Sequence, residues 1–289
     1  MSTRFGFVST FPPTQCGLAT FTAALRGALL GSSTDEGWVV RLVDAPEPRP
    51  GDEVIAQLTT NDPASLRRAA AQLNLRDIAI VQHEFGTDGS EVLHLLDQVR
   101  VPCVVVLHTV LTDPTPRQRQ VLESVIAKAD AVVAMTMTAR ERLAAGYAVD
   151  MTKICIIAHG APAPETTMAE PTFRPGQFTV LTWGLLGPGK GIEWGIEAMA
   201  MLRDLAPMPR YTVAGQTHPK VLLHEGDAYR DRLREQVRQA DLGHLGPRGP
   251  DHLILDRRPR RRQAVRSSAC AVPPPTGPPS HADGSPSLR

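Results

Sequence analysis

The amino-acid sequence predicts an α/β protein with parallel sheets, divided into two α/β units. Three observations predict it. Up to about residue 245, short β-rich runs alternate with helix-like segments. Several strand candidates are apolar on both faces, as strands are when helices cover both sides of a sheet. A glycine-rich turn, Trp183-Gly-Leu-Leu-Gly-Pro-Gly-Lys-Gly191, joins a β-branched and aromatic run to a helix-like pattern. Such a turn leaves backbone N–H groups open to an anion at a helix N-terminus.

In chain order, the first unit has strand candidates at residues 5–9, 39–43, 78–82, 104–107, 131–135 and 154–157. Helix candidates fall between them at 20–30, 64–73, 91–99, 117–127 and 140–145. The last is punctuated by Thr138 as cap, Glu141 completing a capping box, and Gly146 as terminator. Residues 160–176 are rich in Pro, Ala, Thr and Glu without a period and read as a linker. The second unit runs from a strand at 178–183 through the glycine turn to a helix at 192–205. A strand at 211–214 and a long polar helix from about 220 to 240 follow.

The expected organisation is an N-terminal domain at 1–160, a linker at 161–176, a partial second domain at 177–245, and a tail at 246–289. The tail clusters arginine (Arg257, Arg258, Arg260, Arg261, Arg262) and proline (Pro273, Pro274, Pro275, Pro278, Pro279). With almost no β-branched or aromatic residues it has too little apolar surface to fold, and disorder is expected there.

Bulk properties narrow the function classes. A chain of 289 residues with 42% hydrophobic and 21% charged residues has the composition of a soluble globular protein of about two domains. The formal net charge of +1 gives no global reason to expect nucleic acid as a partner. The arginine cluster has no interleaved aromatics to change that. Four scattered cysteines without metal-ligand spacing argue against structural zinc or a disulfide framework and point to a cytoplasmic setting. No apolar stretch reaches the ~20 residues of a membrane span, and peripheral membrane contact stays open.

Four places could carry chemistry. The loop at residues 11–18 follows the first strand and carries Gly17, where a ligand could approach the backbone closely. His83 with Glu84, and His108, stand where apolar strands run out, which in a parallel sheet is one edge. His159 stands at another strand end. Gly215 and His218 form a second turn that could add donors beside the glycine cradle of Gly187, Gly189, Lys190 and Gly191. Each has a structural alternative as an ordinary turn or a strand-end side chain. The cradle fits the Walker A spacing up to Lys190, then fails. Gly191 stands where a Ser or Thr hydroxyl would hold Mg²⁺. No dinucleotide fingerprint and no H-E-x-x-H motif is present.

Taken in order, these pieces resemble the retaining glycosyltransferases of the GT-B fold, group 1 or GT4, over residues 1 to about 243. The opening Phe7-Val-Ser-Thr-Phe-Pro-Pro with Gly17 is similar to that family's first loop, near donor phosphate and acceptor. His108 in Leu107-His-Thr resembles its histidine near the donor sugar, and Ile157-Ala-His-Gly160 its strand-end element before the linker. The segment from Gly184 to Gly191 is similar to a G-[RL]-L-x-x-x-K-G element whose lysine contacts the donor diphosphate. Leu185 stands where many members have Arg. The resemblance implies two Rossmann-like domains facing a crevice. It also implies transfer of a hexose from a UDP- or GDP-sugar, with retention, to a glycan, lipid or small-molecule acceptor. On that reading His108 is the catalytic candidate, Gly17, Gly187, Gly189, Lys190 and Gly191 hold the diphosphate, and no metal or cofactor is needed.

The family's E-x₇-E element, which holds the ribose and donor sugar, has no counterpart after Gly243. The only acidic residues there are Asp251, Asp256 and Asp283. A shifted reading frame beyond codon 243, or a genuine disordered tail, would each account for this. Donor-site function is then expected to be impaired. Two other readings remain: a non-catalytic remnant that binds an acceptor or partner through the first domain, and a P-loop-like nucleotide hydrolase.

Overall fold

The computed structural model describes residues 2–31, 33–48, 51–85, 90–161, 178–240, 242 and 253–256. The first unit is a seven-stranded sheet, parallel throughout. Its strands are β1 (Arg4–Ser9), β2 (Glu36–Val43), β3 (Val54–Thr59), β4 (Ile78–His83), β5 (Cys103–Leu107), β6 (Ala131–Ala134) and β7 (Ile154–Ile156). They lie in the order β3-β2-β1-β4-β5-β6-β7. The order reverses between β1 and β4, which pair from Phe5↔Ile78 to Val8↔Val81. A reversal of this kind opens a crevice beyond the carboxyl ends of the two central strands.

The helices distribute as right-handed crossovers require. The chain leaves β1 in one direction and later leaves β4 in the other, so the connecting helices fall on opposite faces. Helix α1 (Gly17–Leu30) packs on the face of Phe7, Phe11, Val39, Ile80, Val106 and Val133. On the other face lie α2 (Pro63–Leu73), α3 (Ser90–Leu96), α4 (Pro116–Lys128) and α5 (Met137–Gly146). Leu73, Leu95, Leu122, Ile126 and Leu143 from these helices close over Val8, Val81 and Val105. Burying each such side chain is worth about 1.5–3 kcal/mol.

Local sequence explains the helix starts. Asp62 caps α2 by accepting from the Ala64 amide at 2.9 Å, with Pro63 at the first helical position. Thr115 and Gln118 make a reciprocal capping box for α4. Helix α5 departs from expectation. Thr136, not Thr138, accepts from the Ala139 amide, and Gly146 is the last helical residue rather than a left-handed terminator. Strand β3 was not expected from the sequence. Its alternation is weak, and only pairing with β2 from Val39↔Val54 to Val43↔Thr59 makes it a strand.

The second unit contains β8 (Thr179–Trp183), β9 (Arg210–Ala214) and β10 (Leu253–Asp256), parallel and in the order β10-β9-β8. Helix α6 (Ile192–Met201) and α8 (Ala228–Gln239) bury Ile192, Ile196, Met199, Tyr229 and Leu233 against Tyr211 and Val213. The expected long helix from 220 to 240 is two. Gly226, at φ 58, separates α7 (Pro219–Glu225) from α8. Trp183 and Leu181 alternate away from this core and are 76% and 51% exposed on the edge strand β8. Strand β10 lies within the stretch expected to lack structure. Most of the expected linker, and the arginine and proline clusters of the tail, lie outside the described residues.

Candidate functional site

The first cluster forms at the sheet reversal. Cys16 caps α1, its Sγ accepting from the Ala19 amide at 3.3 Å and lying 3.2 Å from Thr10 Oγ1. Gly17 is the first residue of the helix, and a methyl group added to it would meet nothing within 4 Å. A ligand can therefore reach the backbone there. One turn along the same face, the Phe21 ring meets His108 edge-on at 4.7 Å and His159 at 4.9 Å. Three of the expected residues, Gly17, His108 and His159, thus gather along one side of α1.

His108 follows β5 and is held at three points. Its backbone amide donates to the His83 carbonyl at 3.0 Å. Its Nε2 donates to Gln82 Oε1 at 2.8 Å. Phe21 supplies the third contact. Burial, with His159 nearby, pushes its pKa down to about 4, so at neutral pH the ring is uncharged. His159 is exposed and donates from Nδ1 to the Gly160 carbonyl at 2.7 Å.

His83 reaches the same edge but not the same face. Residues alternate along β4, so Gln82 shares the α1 face with Ile80 while His83 follows Ala79 and Val81 to the opposite side. There it packs on Phe85 at 5.2 Å. Its Nε2 is buried without a partner among the described residues, and burial lowers its pKa to about 4. Glu84 is exposed just beyond the strand. The two strand-end histidines do not form a face-to-face pair.

The loop of residues 11–14 is fixed from β2. Arg41, almost wholly buried, donates from Nε to the Phe11 carbonyl at 3.1 Å and from Nη2 to Thr14 Oγ1 at 2.7 Å. It also pairs with Glu47 at 2.8 Å. Sequence reasoning missed Arg41, Gln82 and Phe21. A charge inside the apolar run Trp38-Val-Val-Arg41-Leu-Val43, and an amide inside Ile78-Ala-Ile-Val-Gln82, were the available signals, because buried polar side chains seldom lack a purpose.

The second cluster is the glycine cradle. Gly184, Gly189 and Gly191 take φ values of 128, 80 and 72, a region that favours glycine. Gly191 caps α6 with a left-handed backbone and no side-chain bond. The N-terminus of α6 is therefore unblocked, with exposed Lys190 immediately before it. The second turn is locked to the first. The Leu186 amide donates to the Gln216 carbonyl and the His218 amide to the Leu186 carbonyl, both at 2.8 Å. A Cβ on Gly215 would lie 1.7 Å from the Gly184 carbonyl oxygen. Gly187 is buried against Val221. Arg230, buried, donates from Nε to Thr217 Oγ1 at 2.9 Å and from Nη2 to the Gly215 carbonyl. His218 stands beside the cradle, but its Nδ1 accepts from the Lys220 amide at 3.2 Å as the cap of α7. Among the described residues, no group of three or more His, Cys, Asp or Glu side chains could hold a metal ion.

Comparison with known proteins bears on the fold that carries these clusters. Residues 28–163 match the family model described as Glycosyltransferase Family 4. That span is similar to a family 4 glycosyltransferase domain. No curated protein sequence matches the chain. HepE of Anabaena, solved with UDP-glucose, superposes with a TM-score of 0.55 at 14% identity, over 88% of this chain and 68% of its own. A glycosyltransferase of Rickettsia africae gives 0.53 at 13% identity over 88% and 68%. An alpha-glucosyltransferase solved with UDP and a 13-mer DNA gives 0.51 at 13% over 80% and 60%. The architecture of the chain is therefore GT-B-like, as its sequence motifs implied. No helix among the described residues is long and apolar enough to cross a membrane.

Proposed function

We propose that this chain is a retaining glycosyltransferase that moves a hexose from a nucleotide-diphosphate sugar to an acceptor hydroxyl. The observation that carries the reading is the cradle. Left-handed glycines and Lys190 stand at the open N-terminus of α6, where backbone dipoles and one cation would stabilise charge growing on a departing diphosphate. Gly191 offers no hydroxyl to Mg²⁺, which suits a transfer that relies on protein charge instead. In the first domain, neutral His108 with Gly17 and His159 beside it would receive the donor sugar. Glu84 and the Gly215–His218 turn would border the two clusters, while His83, on the opposite face, would not.

Two related structures support the choice of donor class, since HepE was solved with UDP-glucose and the alpha-glucosyltransferase with UDP. UDP- and GDP-hexoses both suit the cradle, and the acceptor would be a glycan, a lipid or a small molecule. The cysteine usage suits the cytoplasm. A binding-only role is the second reading. It is favoured by the lack of any Glu after residue 243, where the family's E-x₇-E element would stand.

Purified protein with UDP-glucose or GDP-mannose should release nucleotide, and EDTA should not suppress it. Acceptor binding without nucleotide release would favour the second reading. Mg²⁺-dependent ATP hydrolysis lost in Lys190→Ala would favour a P-loop hydrolase over both. Of the strands after the cradle, β9 carries no carboxylate and β10 ends at Asp256.

A further inference from the structure

Gln82 is an amide inside a parallel sheet, 1% exposed, on a face otherwise lined by Ile80, Val106 and Phe7. A polar group in such a place destabilises the fold unless it is bonded. The only side-chain bond it makes among the described residues is to the His108 ring, Oε1 accepting from Nε2 at 2.8 Å. Its Nε2 is buried with no partner among the described residues. The carbonyl end faces the ring, so a ring N–H and the amide oxygen constrain each other's orientation. The backbone makes the arrangement stiff. Gln82 pairs with Val106, two residues before His108, and the His108 amide bonds the next residue of the same strand.

We propose that Gln82 is the positioning residue for His108: it fixes the ring as the Nε2–H tautomer and leaves Nδ1 as its one acceptor. The inference rests on the reading that His108 touches the donor sugar. An acceptor nitrogen can take a hydrogen bond from a sugar hydroxyl, whereas the other tautomer would present an N–H in its place. Tautomer and ring angle decide whether that bond forms, so a change in either acts on turnover. The lowered pKa of His108 agrees, because a cationic ring would have no acceptor at all. The titratable groups that couple to this ring are His159, across Phe21, and His83 on the other face of the strand pair.

The test is ¹⁵N-histidine NMR together with kinetics of UDP release from UDP-glucose, on the full chain. Wild type should show His108 as a single neutral Nε2–H tautomer from pH 8 to below pH 5. Gln82→Met, close in volume, should give mixed tautomers and lower kcat on the order of 100-fold with KM for UDP-glucose little changed. Gln82→Glu places a carboxylate at the ring, so His108 should be cationic at pH 7 and activity should recover as pH rises. A Gln82→Met protein that keeps both the wild-type tautomer and kcat overturns the proposal. If Gln82→Glu does not fold, Gln82→Met decides alone. If wild type releases no UDP, the functional reading falls, and the tautomer spectra alone decide whether Gln82 holds the ring.

Discussion

Arg41 donates to Thr14 Oγ1 over 2.7 Å, from a side chain almost wholly inside the first domain. The second unit repeats the relationship, with Arg230 bonding Thr217 Oγ1 at 2.9 Å. In each case the same guanidinium also takes a backbone carbonyl of the turn, Phe11 or Gly215. A planar fork of donors suits this work, since one residue can hold a turn at two places in fixed geometry. Removing Arg41 as Arg41→Met should lower unfolding free energy by about 2–4 kcal/mol, because charged hydrogen bonds are lost and a buried carbonyl is left bare. Urea unfolding checks it, and an unchanged midpoint would show that the loop does not depend on Arg41.

The two glycine turns of the second unit should differ sharply in tolerance. Gly215→Ala drives a methyl into the Gly184 carbonyl and should abolish nucleotide binding and destabilise the unit. Gly189→Ala has open space and meets only the left-handed backbone strain, about 1–2 kcal/mol. Thermal unfolding of the two variants side by side would settle the ranking.

Lys190→Ala should weaken UDP binding about tenfold without changing the melting temperature, since the side chain is exposed and serves as a point charge beside α6. Isothermal titration at two salt concentrations gives the check. The wild-type affinity should fall with salt more steeply than that of the variant.

Stability should decline in mild acid. His83 ionises in the folded chain only near pH 4, against an ordinary value of 6.5. Between those values the unfolded chain binds a proton that the folded chain refuses, so stability is full above about pH 6.5 and is lost as pH falls towards 4. His83 alone accounts for on the order of 3 kcal/mol of that loss. His108 acts in the same direction, less strongly for being partly exposed. The slope of unfolding free energy from pH 7 to 4.5 should flatten in His83→Phe.

Thiol labelling should be graded. Cys103 is buried and its thiol is pushed up to about 12, so it should react with a disulfide reagent only on unfolding. Cys155 is exposed and should react in the native state. Mass mapping of labelled peptides tests the order.

Periodicity made most of the first domain readable, because β1, β4, β5 and β6 are apolar on both faces and cannot be much else. It failed at β3, whose strand character comes from β2, and at residues 220–240, where Gly226 breaks an otherwise helical pattern. The strand-end histidines were also visible, but their facing was not. One residue of alternation sends His83 and Gln82 to opposite sides, so the partner of His108 was the amide rather than the neighbouring imidazole. Arg41 and Arg230 act on turns about 27 and 13 residues away in the chain, a range that local patterns do not carry.

The Phe21 ring touches both His108 and His159. Two histidines leaning on one aromatic side chain share their evolutionary fate. A change at position 21 must suit both at once, so single-step variation there should be rare in a working lineage.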